Sequence, residues 1–380
     1  MKSLRRPETV LVMSFLVILA TPAIVQSVIE WRRDGSVQAV SVFRVRPTSA
    51  NLRAYEDELE DASWMGRQLR PWVQYAHFTW LNDGGDKALV GRDGWLFYKP
   101  GFRYLTERTA PATDDSLSSP LVAITGFRDQ LAARGIQLLI VLAPNKESVY
   151  PEMLSRRARD TETLLSPRTT QLLSDLARAG VEVVDLCETY RAVKQEPATT
   201  YAAPLYLRQD SHWSPAGVEV AARTVAQRIL DLDWLSVGTT VYERTPAPVA
   251  RLGDLVRMLQ VPQIESSTLP EEILCQQILR RDTQQLYEDD PAAAILVMGD
   301  SFLRIYQQDE PGAAGFIAHL AKELQQPLTS LVNDGGASTL VRQELYRRPT
   351  LLRNKRVVVW EFVDRDIRFG TEGWQNVPLP

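Results

Sequence analysis

The chain has 380 residues, 44% hydrophobic and 24% charged, with a net charge of −4. That length supports a full hydrophobic core, in one large domain or two ordinary ones. The charge balance argues against a nucleic-acid binder, which carries a basic face. Two cysteines (Cys187, Cys275), one disulfide at most, and three histidines (His77, His212, His319) argue against a metal cluster.

Lys2, Arg5 and Arg6 precede an uncharged run from Thr9 to Ile29, long enough to cross a bilayer as a helix. With the basic residues in front, the chain after Glu30 faces outward. A signal peptide cut near Thr21-Pro22-Ala23 is the competing reading. The apolar run continues past that point to Arg32-Arg33, which favours an uncleaved anchor over residues 1–33. Either way the body is exported.

Residues 34–50 read as a linker, and a domain over 51–380 follows. From Leu52 to Leu81 the period is helical, with Leu52, Tyr55, Leu59, Trp64 and Leu69 on an apolar stripe and a break or kink expected at Pro71. Gly91 to Tyr98 reads as a turn into an aromatic strand. Helices are expected at Leu121–Arg134 and Ser166–Ala179, stopped by Gly135 and Gly180, and at Ala216–Leu232, Gly315–Leu324 and Leu340–Tyr346. Short apolar strands are expected at Ile136–Ala143, Val181–Leu186, Ala294–Met298, Leu328–Val332 and Arg356–Phe362. The alternation predicts an α/β fold whose mostly parallel sheet is covered on both faces. Polar, proline-bearing residues 236–293 interrupt it as an insertion.

Chemistry concentrates at two places. The apolar strand at Ala294 runs into Gly299-Asp300-Ser301, and the carboxyl ends of such strands are where open α/β sheets bind ligands. Ser301 is the candidate nucleophile. In Asp210-Ser211-His212-Trp213-Ser214-Pro215, Ser214 and Pro215 suit a helix start, leaving Asp210 and His212 in the loop before it. A serine needs a histidine to take its proton, and the histidine needs a carboxylate to orient it. Each motif alone also reads as a plain turn or a solvated loop, and an Asp–His metal pair has no further ligands to support it. Asn145 or Gly335-Gly336 are candidate oxyanion donors beside the Ser301 N–H. Tyr306 faces either the same pocket or the core.

Gly91 to Tyr98, Pro144-Asn145-Lys146 to Tyr150-Pro151-Glu152, Asp210 to Pro215, Gly299-Asp300-Ser301-Phe302 and Trp360-Glu361-Phe362 occur in one order. That order resembles the SGNH-hydrolase-like proteins of alginate O-acetylation, the AlgJ and AlgX type, over roughly residues 50 to 370. The resemblance implies a three-layer α/β/α domain, here behind one transmembrane helix, that O-acetylates an exopolysaccharide in the periplasm. It implies Ser301 as nucleophile, His212 as base and Asp210 as its orienting acid, without cofactor or metal. It also implies a membrane-bound O-acyltransferase that supplies the acetyl group through an acetyl-Ser301 intermediate at the inner membrane. Ordinary SGNH esterases place the serine early and an Asp-x-x-His late; here Asp-x-His comes first. The chain ends soon after its last expected strand, so no separate carbohydrate-binding module is expected, which looks closer to the AlgJ type. Two rivals remain: a polysaccharide deacetylase with the same triad, and a non-catalytic glycan-binding assembly protein. The intact Asp-x-His and Gly-Asp-Ser weigh against the second.

Overall fold

A computed structural model describes residues 7–44, 46, 48–107, 119–158, 164–196 and 203–379. They divide into two compact units, residues 1–82 with 260–266, and residues 83–259 with 267–380.

In the first unit the apolar run is one helix, Pro7–Asp34. The expected linker holds a short 3-10 helix, Gln38–Arg44. The expected long helix is two, Ser49–Ala62 and Trp64–Leu81. They part at Ser63 rather than at Pro71. Ser63 has an extended backbone and its side chain accepts from the Gly66 N–H, which starts a new helix there. Pro71 stays inside the second helix, at the cost of one backbone bond. Leu52, Trp64 and Leu69 of the apolar stripe remain exposed.

The second unit opens with a hairpin, β1 (Ala88–Val90) against β2 (Leu96–Tyr98). Asp93 and Gly94 both take positive φ, 53° and 78°, as the tight turn between twisted strands demands. Then come β3 (Gln137–Ala143), β4 (Glu182–Asp185), β5 (Tyr242–Arg251), β6 (Glu271–Arg280), β7 (Ile295–Gly299), β8 (Thr329–Val332) and β9 (Val357–Val363). The central sheet has the order β4-β3-β9-β7-β8, and every pairing is parallel.

Its central strands β3, β9 and β7 are almost wholly apolar because both faces are covered, while the edge strands β4 and β8 carry polar residues. Leu139, Val141, Val297, Val357 and Val359 point to one face, against the helices Leu186–Gln195, Pro215–Asp231 and Phe316–Leu324. Leu138, Ile140, Leu296, Met298 and Trp360 point to the other, against Pro120–Ala132, Pro167–Arg178 and Leu340–Arg347. Gly135 and Gly180 close two of these helices in left-handed geometry. In both, the next residue's N–H reaches back five residues, Ile136 to Leu131 and Val181 to Leu176.

Residues 236–293 carry regular structure that polar composition did not announce. β5 and β6 pair antiparallel over ten residues, from Tyr242↔Arg280 to Arg251↔Glu271. Pro246 and Pro248 are tolerated because a two-stranded ribbon has only edge strands. Cys275 of β6 and Cys187 are both buried and free.

Gly253 follows β5 where the ribbon meets the loop before Asp210. A Cβ there would lie 2.0 Å from the Gln209 carbonyl oxygen, so the backbones must separate to admit any side chain. Gly253→Ala is expected to cost about 1–3 kcal/mol in denaturant unfolding, with a larger proportional loss of activity.

Candidate active site

The parallel sheet brings the carboxyl ends of β3, β9, β7 and β8 to one edge, and the site lies there. β7 ends at Gly299, and Asp300 caps the following turn by accepting from the Phe302 N–H at 2.9 Å. Gly299 is required by its neighbour: a Cβ would meet the Glu361 carboxylate at 2.5 Å. Ser301 is thereby fixed at the mouth of a cleft of about 560 Å³.

His212 comes from the loop before the Pro215–Asp231 helix, whose first turn is capped by Ser214. Its Nε2 lies 2.8 Å from the Ser301 Oγ, and its Nδ1 lies 2.7 Å from an Asp210 oxygen. The loop does curl back: the His212 N–H donates to the same Asp210 oxygen at 3.0 Å. Asp210 is wholly buried. Its second oxygen accepts from Arg251 Nε at 3.0 Å and from the Asp254 N–H at 3.2 Å. Burial alone would raise the Asp210 pKa. His212 and the Arg251 guanidinium outweigh it and hold the carboxyl well below the usual range. Burial works to lower the pKa of His212; Asp210 outweighs it, with Asp254 and Asp300 adding, so it lies above the ordinary 6.5.

Three further residues contribute: Arg251 and Asp254, which no specific motif marks, and Lys146, which stands in the Pro144-Asn145-Lys146 motif without a role assigned to it there. Arg251 and Asp254 sit on and just beyond β5, inside the insertion. Asp254 accepts from the Ser211 N–H at 2.7 Å and its Oγ at 2.5 Å, and stands 3.5 Å from His212 Nδ1. Only a local Arg-Leu-Gly-Asp marks them, too common to single out. Lys146, which opens the short Lys146–Val149 helix after β3, is buried and donates to the carbonyls of Leu96, Arg208 and Asp210 at 2.6, 2.8 and 3.0 Å. Its ammonium also lies 4.9 Å from the Trp95 ring centre. Burial pulls its pKa down to about 8. A lysine soon after an apolar strand was the available signal.

The other candidates separate. Gly335 lines the cleft with Ser301 and His212, at φ 65° in the loop after β8. Gly336 is buried against Asn333. Asn145 is buried; its Oδ1 accepts from Arg365 at 3.2 Å, and Arg365, rather than Asn145, reaches the cleft. Tyr306 belongs to the core, its hydroxyl donating to the Trp213 carbonyl at 3.2 Å. Beneath the site Glu361 and Asp364 are buried carboxyls, each with one unpartnered oxygen, and burial first of all raises both pKa values well above normal.

Asp210, His212 and Asp254 bring ligand-type atoms within 4.8 Å of one another. A cation among them would face the Arg251 guanidinium already bound to Asp210, so the set suits proton transfer better than metal binding.

A serine, an imidazole and a buried carboxylate in series at the end of a parallel sheet form the apparatus of acyl transfer. Within that class the family is specific. Residues 88–364 match the model of the SGNH hydrolase-like domain, acetyltransferase AlgX, and the chain belongs to that family. It is 26% identical to the probable alginate O-acetylase AlgJ of Pseudomonas syringae pv. tomato, over 86% of this chain and 79% of that protein. Against its counterpart in Pseudomonas aeruginosa identity is 24%, over 76% and 72%. The fold is similar to the O-acetyltransferase domain of Pseudomonas putida AlgJ, with a TM-score of 0.55 at 23% identity over 74% of this chain and 92% of that one. It is also similar to Pseudomonas aeruginosa AlgX, with 0.53 at 17% over 73% and 62%. The protein is an O-acetyltransferase of this family.

A base must be neutral to accept a proton, so the rate is expected to fall as pH drops through the raised His212 pKa. Asp254→Asn removes a charge that raises it, and should move the acid limb of the kcat/KM profile to lower pH. Lys146→Met leaves the buried Leu96 and Asp210 carbonyls unpaired, while the Arg208 carbonyl keeps the Leu96 N–H; unfolding stability should drop by about 2–4 kcal/mol.

Proposed function

We propose that this enzyme transfers acetyl groups to hydroxyls of an alginate-like exopolysaccharide in the periplasm, held at the inner membrane by its N-terminal helix. Ser301 is the nucleophile, His212 the general base and Asp210 the acid that orients it. The reading rests on the unbroken series from Ser301 Oγ through His212 to Asp210, opening into a cleft bordered by arginines. Support for the anchor comes from the Thr9–Asp34 helix, long and apolar enough to span a membrane.

In the first half-reaction His212 Nε2 takes the Ser301 proton as Oγ attacks the acetyl carbonyl of the donor. The tetrahedral intermediate collapses, His212 protonates the leaving group, and acetyl-Ser301 remains. A sugar hydroxyl then loses its proton to His212 and attacks the acetyl carbon, and Ser301 recovers the proton. The Ser301 N–H in the first helical turn stabilises the oxyanion, with the Gly335 loop and the Arg365 guanidinium at the same cleft. Arg257 stands exposed at the rim, suited to the carboxylates of an acidic polymer. A membrane-bound O-acyltransferase is the donor, a role that suits an enzyme tethered to the same bilayer.

The test offers the full chain an activated acetyl ester and alginate oligosaccharides, followed by mass spectrometry. Acetylated sugar and an acetyl group on the Ser301 peptide are expected, with Ser301→Ala slower by at least about 10³-fold. Acetate release without acetylated sugar would favour a deacetylase and sink the transfer reading.

A further inference from the structure

The Trp64–Leu81 helix buries none of its residues. At about 100° per residue, Trp64, Leu69, Trp72, Val73, Tyr75 and Trp80 fall within one half of its circumference. They are between 37% and 80% exposed. Arg67, Arg70, Gln74 and His77 fall on the other half, with Phe78 and, at the last position, Leu81. A helix divided in this way, with no core among the described residues against its apolar half, matches one lying in a membrane face. Tryptophan and tyrosine are the side chains that favour that boundary, being apolar in body and polar at one edge.

The start of this helix is held at a definite height. Gln26, inside the apolar anchor, accepts from the Trp64 N–H at 2.7 Å and donates to the Ala62 carbonyl at 2.8 Å. Buried Glu30, one turn further, accepts from Gln26 Nε2 at 2.6 Å and from the Gln38 N–H at 2.7 Å. From Thr9 to Gln26 a helix rises about 26 Å, most of the roughly 30 Å hydrocarbon layer. The clamp therefore falls where the anchor leaves the bilayer, and the Trp64 helix begins at headgroup depth.

We propose that the Trp64–Leu81 helix is a second membrane contact. It lies along the lipid surface at the outer end of the anchor, with its aromatic half towards the acyl chains and Arg67 and Arg70 towards water and lipid phosphates. Eighteen residues give it a length of about 27 Å. The inference uses the anchor and this helix alone, and stands whether or not the acetyl-transfer reading does.

The test uses the full chain in nanodiscs of phosphatidylethanolamine and phosphatidylglycerol, with no other protein. Single cysteines at Leu69→Cys and Ala76→Cys, on the aromatic half, and Arg70→Cys, on the other, carry a bimane fluorophore; Cys187 and Cys275 are buried. Brominated lipid should quench the first two probes and spare the third. Iodide in the buffer should quench those two roughly tenfold less than the probe at position 70. Equal access of iodide to all three positions would overturn the proposal. So would protection of positions 69 and 76 that arises only when a second membrane protein is present.

Discussion

A carboxylate buried without water must be compensated on both oxygens, and Asp210 sets that requirement for the whole site. One oxygen receives His212 through backbone and ring. The other receives Arg251 and the Asp254 N–H. Its carbonyl is held by Lys146, which is itself buried and spends its ammonium on three carbonyls. The demand of one acid thus joins the short helix after β3, the loop before the Pro215–Asp231 helix and the ribbon inserted between that helix and β7. The insertion is part of the scaffold of the proposed catalytic site because it carries the counter-charge.

The sheet supplies the other half of the geometry. Parallel strands deliver every carboxyl end to one edge, so Ser301 after β7, Arg365 after β9 and Gly335 after β8 converge although they are far apart in sequence. Glu361 points from β9 beneath Gly299, where only a glycine leaves room for it. Burial raises its pKa well above the usual carboxylate value, with Asp300 adding to the shift.

Much of this was legible in the residues. Strand and helix periods, glycine stops and the Ser214-Pro215 start mark local preferences, and such preferences survive folding when the core agrees with them. The apolar runs of β3, β7 and β9 could only be buried on both faces, which makes the sheet parallel. The helix parts at Ser63 rather than at the expected Pro71, because Ser63 gains a cap bond there while Pro71 loses only one. β5 and β6 carry no sequence mark, because these polar edge strands lack the apolar alternation of a half-buried strand.

The N-terminal apolar helix, the alternating α/β order, and the serine, histidine and aspartate with the chemistry their types permit are all set by the residues alone. These follow from hydrophobic period and functional-group identity, both local properties. Only the tertiary structure decided that Arg251 and Asp254 complete the site, that Asn145 acts behind Arg365, and that Tyr306 is core. Those outcomes depend on which groups must share a buried charge, and burial is set by residues distant along the chain.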